Sequence, residues 1–126
     1  TGNTTGKTYL YQQEDGVLVY AGFLIKFAPD PNTLNPSFLK FFTQTKQYWD
    51  WVRTMSVRSG QPGINSNEYG KLKLLLPRIE EQQKIVSLLK TKETEIGRIQ
   101  DYTIELKKQK LGLMQQLLTG DLRIKL

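Results

Sequence analysis

The sequence predicts an α+β protein, with a small mixed α/β part in residues 1–78 and a long coiled-coil α-helix, ending in a short strand, in residues 79–126. Three observations predict it. Residues 8–11, 17–20 and 23–27 are rich in Tyr, Val, Leu, Phe and Ile, and Glu14-Asp15-Gly16 separates the first two runs. Asn35-Pro36 precedes a series of regularly spaced aromatic residues. From Ile79 to Leu118 there is no proline, and Leu, Ile, Lys, Glu and Gln dominate.

These β-rich runs read as two or three short strands joined by turns. Asp30-Pro31-Asn32 marks a loop. Asn35 then reads as a helix N-cap, with Pro36 at the first helical position, where a missing N–H is harmless. Phe38, Phe41, Phe42, Tyr48, Trp49 and Val52 recur at helical spacings as far as about Met55, which predicts one helix with an aromatic face. Core packing explains that face more simply than a platform for stacking bases. Ser59-Gly60-Gln61-Pro62-Gly63 forms a polar loop, and residues 72–76 read as a strand closed by Pro77.

Residues 79–118 predict a single helix of about 40 residues, roughly 60 Å long. Alternating steps of four and three from Ile85 give Leu89, Lys92, Ile96, Ile99, Thr103, Leu106, Lys110, Leu113 and Leu117. Seven of these ten positions are apolar, and the 3.5-residue repeat is that of a coiled-coil seam. Leu88, Tyr102, Leu111, Met114 and Leu118 widen the stripe toward a second surface. Such a stripe requires a partner helix, from a second copy, another part of the chain or another protein. Gly97 and Gly112 mark either close helix approaches or slight bends, and Gly120 is placed to end the helix in the left-handed conformation. Residues 122–126 alternate like a final strand.

Composition narrows the chemistry. With 24% charged residues the chain reads as one soluble domain or a piece of a larger protein, and its opening at Thr1-Gly2-Asn3 suggests the latter. The absence of Cys and His excludes a disulfide framework, Cys/His metal sites, a thiol nucleophile and a Ser-His-Asp triad. No metal and no cofactor are expected. No run approaches the length of a membrane span and no leader pattern opens the chain, so a cytoplasmic protein is expected. The net charge of +6 suits a polyanionic partner. Residues 1–78 carry nine Lys/Arg and five Asp/Glu, against nine and seven in 79–126, so the surplus favours the first part.

Two motifs come close to catalytic signatures and fall short. Gly2-Asn3-Thr4-Thr5-Gly6-Lys7-Thr8 has one residue too few between its glycines for a phosphate-binding P-loop. It reads better as a turn whose Thr5 and Lys7 contact a DNA phosphate. Asn35-Pro36-Ser37-Phe38 lacks the second proline of the amino-methyltransferase element, and the helix cap explains it. Glu14/Asp15 and Glu80/Glu81 sit in a turn and in a helix's first turn, where negative charge is structural. No catalytic residues are expected. Arg58, Ser59, Gln61 and Asn65, preceded by Arg53, include side chains suited to base edges, Arg to guanine and Gln or Asn to adenine. A solvated loop would have the same composition.

From Asn35 onward the chain resembles the specificity subunit of type I restriction-modification enzymes. The resemblance rests on Pro36-Ser37-Phe38-Leu39, on the loop from Ser59 to Ile64, on Leu74-Leu75-Leu76-Pro77-Arg78-Ile79-Glu80-Glu81-Gln82-Gln83-Lys84-Ile85, and on the run from Lys110 to Gly120. It covers about 90 of the 126 residues, and residues 2–11 resemble more loosely a glycine-bearing hairpin of the family's target recognition domain. It implies part of a recognition domain that reads one half of a bipartite site in double-stranded DNA. It also implies a helix, from Ile79 onward, that pairs antiparallel with its counterpart and docks methyltransferase subunits and, through them, the restriction subunit. The chain is then a non-catalytic specificity-subunit fragment, as a homodimer or with its helix paired within a longer subunit. The other reading is a dimerising coiled-coil scaffold that does not bind DNA itself.

Overall fold

The computed structural model describes residues 2–57 and 61–125. Its elements are single turns of 3-10 helix at Gly2–Thr4 and Gln13–Asp15, then α1 (Pro36–Phe42), α2 (Lys46–Ser56), α3 (Ser66–Tyr69) and α4 (Ile79–Thr119). Among the described residues there is no strand, so the α+β expectation is corrected to an all-helical architecture. Residues 8–11, 17–20, 23–27, 72–76 and 122–125 form no ladder. High β-propensity states only that a side chain suits a pleated, half-buried surface, and a strand exists only when a neighbour takes its N–H and C=O groups. Here the surface condition also fails, since Val17 and Val19 are 97% and 95% exposed.

The helix expected from Asn35 to about Met55 is two helices. Asn35 caps α1 as its sequence implies, its Oδ1 accepting from the N–H groups of Ser37 at 2.9 Å and Phe38 at 3.3 Å. The run is broken by two threonines. The Thr43 hydroxyl donates to Lys40 O at 2.7 Å and that of Thr45 to Phe42 O at 2.7 Å, and Thr45 Oγ1 accepts the Tyr48 N–H at 3.3 Å as the cap of α2. Short hydroxyl side chains compete with the helical ladder in this way.

Contacts divide the chain into two compact units, residues 1–86 and 87–126. In the first, Leu34, Tyr48, Val52 and Val86 form the buried apolar core, with Thr43 and Gln82 as buried polar residues. Tyr48 is the centre of an aromatic cluster, edge-on to Phe42 and Trp49 and stacked on Trp51, with ring centroids at 6.1, 5.6 and 6.2 Å. Trp51 in turn lies 5.4 Å from Tyr69 of α3. Tyr48 of that cluster is buried, and Phe42, Trp49, Trp51 and Tyr69 are half-buried around it.

Helix α4 runs 41 residues without interruption, one residue beyond the expected end. Thr119 and Gly120 stop it, Gly120 at φ +84° and the Leu122 N–H returning to Gln116 O at 2.9 Å. A Cβ added at Gly97 or Gly112 would meet nothing within 4 Å, so neither glycine serves a close approach among the described residues. Among the described residues no helix is long and apolar enough to cross a membrane.

Candidate nucleic-acid interface

The glycine-rich opening folds as a tight turn stitched to the loop after α2. The Gly2 N–H donates to Pro62 O at 2.8 Å, and the Thr5 hydroxyl lies 2.9 Å from Gly2 O and 3.2 Å from Pro62 O. Gly2 is so close to the loop that a Cβ there would sit 3.3 Å from Nε2 of Gln61. On its other side the turn rests on α2. Gly6 adopts φ +85°, and a Cβ on it would lie 2.7 and 2.8 Å from the Val52 methyls. The Tyr48 hydroxyl donates to Gly6 O at 2.7 Å. Burial, followed by the neighbouring Tyr69 hydroxyl, pushes the Tyr48 phenol far above its ordinary value, so it remains a donor at any physiological pH.

This arrangement brings together residues 57 positions apart, Thr5 beside the loop of Gln61 and Lys7 at the turn's exit. Lys7 and Gln61 are exposed. Thr5 has a single hydroxyl proton, and two backbone carbonyls compete for it, which makes Thr5 the stitch of the turn rather than a free donor. Arg53 is exposed and pairs with Asp50, which also takes Lys46 at 2.6 Å. The Lys46 hydrogen bond is the main cause holding the Asp50 carboxyl below its usual range, with Arg53 adding to it. Two cations on one carboxylate leave a net positive face on α2.

Asn65 opens α3. It caps α3 in a reciprocal box, Oδ1 accepting the Glu68 N–H at 2.9 Å while its own N–H donates to Glu68 Oε2 at 2.7 Å. Its amide NH2 remains outside that cap. Arg58 and Ser59 lie outside the described residues. The sequence reading missed α3, although Asn-x-x-Glu is the signature of a capping box and was there to be read. It also missed Tyr48, Gly6 and Pro62 as the supports of the turn, which no local pattern reveals.

Of the seam, Ile85 and Leu89 are half-buried. Ile96, Ile99, Leu106, Leu113 and Leu117 are exposed by 38% to 59%. An apolar depression of about 420 Å³ on this stretch is lined by Leu106, Lys110, Leu113, Met114 and Leu117 among others.

The family described as type I restriction modification DNA specificity domain matches residues 1–111, and the chain belongs to that family. It is also similar to the putative type I restriction enzyme MjaX specificity subunit of Methanocaldococcus jannaschii, 28% identical over 117 residues. That match covers 90% of this chain and 27% of the relative, so the chain spans about a quarter of the length of the curated relative it matches. No solved structure matches.

Proposed function

We propose that this chain reads one half of a bipartite site in double-stranded DNA, as part of the specificity subunit of a type I restriction-modification enzyme. The observation that carries the reading is the double attachment of the Gly2–Lys7 turn, to Pro62 on one side and to α2 on the other, in a chain of the DNA specificity family. Lys7 and the Lys46–Asp50–Arg53 face supply charge for phosphates. Gln61, with Arg58, Ser59 and Asn65, supplies side chains for base edges. Thr5 orders the turn that carries Lys7. Residues 1–78 form the recognition part. From Ile79 onward the helix docks methyltransferase subunits and, through them, the restriction subunit, its seam closed by a counterpart helix of a second copy or of the same subunit. Adenine methylation and strand cleavage belong to those subunits, and this chain contributes no catalytic group, metal or cofactor. The setting is the cytoplasm.

The exposed seam also favours the scaffold reading, in which the helix recruits partners and the globular part touches no DNA. Salt titration of duplex binding by the complete enzyme separates the two. Phosphate contacts make log K fall linearly with log salt, whereas a scaffold shows negligible binding attributable to these residues at any salt. Indifference of both affinity and slope to Lys7→Ala and Arg53→Ala overturns the DNA reading for this surface.

A further inference from the structure

Three hydrogen bonds converge on one side chain at the root of α4. Gln82 has no exposed surface. Its Oε1 accepts the backbone N–H of Asn35 at 2.9 Å, and its Nε2 donates to the carbonyl oxygens of Thr33 at 3.0 Å and Pro77 at 2.8 Å. Both N–H donors and the carbonyl of the amide are thus spent on backbone groups, which only a glutamine-length amide does at once. Its neighbours Glu81 and Gln83 are exposed, so burial singles out this one position. Asn35, which Gln82 holds by its main chain, caps α1 with its side chain. The start of α1 and the first turn of α4 therefore share one residue as their junction, inside the unit that carries the turn and loop described above.

Resting on the DNA reading proposed above, we infer that Gln82 is a positioning residue for half-site spacing. It holds the root of α4 in one register on the 33–35 loop, and the separation at which the complete enzyme accepts its two half-sites depends on that register. One added base pair moves a half-site by about 3.4 Å along the duplex and about 34° around it. A root held by three directed hydrogen bonds does not follow such a change. A root held by the apolar contact of Val86 alone slides and turns far more readily, because burial of apolar surface is non-directional.

The test uses the complete enzyme and duplexes that carry its methylation-mapped bipartite site with the native spacer, or with one base pair removed or added. Gln82→Met keeps the length of the side chain and removes all three hydrogen bonds. Gln82→Glu keeps the acceptor for Asn35, gives up both donations, and is the second variant should the first fail to fold. The expected result is that the preference for the native spacer over its neighbours falls about tenfold, on the scale of one lost discriminating contact, with the half-site sequences unchanged. A merely structural role lowers affinity for every spacer by the same factor, and an unmoved ratio in the folded variants overturns the inference alone. No site-specific binding by the unsubstituted enzyme overturns the DNA reading itself, and this inference with it.

Discussion

The hydroxyl of Tyr48 donates to the carbonyl oxygen of Gly6 at 2.7 Å, across 42 positions of sequence. Val52, one helical turn further along α2, lies where a Cβ on Gly6 would have to go. The glycine turn at the start of the chain is therefore held by α2 as well as by its own glycines and internal hydrogen bonds. Gly6→Ala meets both a positive φ and a blocked Cβ, and is expected to destabilise the first unit by about 2–3 kcal/mol. Gly16, at φ +66° and ψ −147°, has nothing within 4 Å of its Cβ position, so Gly16→Ala meets only the backbone strain of a region nearly exclusive to glycine, about 1–3 kcal/mol. Urea denaturation of Gly6→Ala checks it, and a loss below about 1 kcal/mol would contradict the clash.

The buried phenol gives a second expectation. Because the folded state raises the Tyr48 pKa above its ordinary 10.0, the folded state binds that proton more tightly than the unfolded chain. The contribution is present in full below pH 10 and is lost progressively as pH rises above that value. Tyr48→Phe removes this alkaline loss and also leaves Gly6 O without its donor, at about 1 kcal/mol. Thermal melts of both proteins between pH 8 and about pH 11 check it, the variant's curve being the flatter at the alkaline end.

Removing the α1 cap isolates a local term. In Asn35→Ala the N–H groups of Ser37 and Phe38 lose their acceptor, and stability is expected to fall by about 1 kcal/mol. The main-chain hydrogen bond from Asn35 to Gln82 is retained in that variant, so the loss should stay below that of Gln82→Ala, which removes three part-buried hydrogen bonds to the backbone. Denaturation midpoints that rank the two the other way would argue against the junction.

For recognition, Lys7→Ala should weaken duplex binding similarly across sequences and reduce the salt slope by about 0.9. Gln61→Ala should leave the slope unchanged and alter base preference at a defined position of the half-site. Arg58→Ala is expected to behave like Gln61→Ala. Methylation mapping with each mutant enzyme is the measurement, and unchanged specificity in both Gln61→Ala and Arg58→Ala would remove the loop from the reading surface.

Leu106→Asp places a charge in the seam of α4, where pairing would bury it without a partner. The expected outcome is loss of helix pairing or of the complex with the methyltransferase subunit in sedimentation, while the first unit keeps its thermal transition. An unaltered assembly mass would show that the seam does not pair through this position.

Most of the helical framework was legible because its signals are local. The Asn35-Pro36 cap, the Pro-free run from Ile79 and the Gly120 stop each depend on residues within a few positions of one another, and each helix end formed where those residues stand. The break at Thr43–Thr45 was written in the same local terms, but the aromatic spacing across it masked the two hydroxyl caps. The strand expectations failed for a different reason. Residues 17–20 have the right side chains and no backbone partner among the described residues, and pairing is a non-local property.

The candidate site divides in the same way. The basic surplus of residues 1–78, the lack of Cys and His, the long Pro-free helix and the family resemblance follow from the amino-acid sequence alone, since all are properties of composition or spacing along the chain. The folded chain alone shows that Thr5 is tied to Pro62, that Tyr48 holds Gly6, and that Gln82 joins the 33–35 loop to the root of α4. These are contacts of a few directed hydrogen bonds between segments tens of residues apart. Their geometry follows from how buried backbone groups find partners once the core around Tyr48 and Val52 has closed.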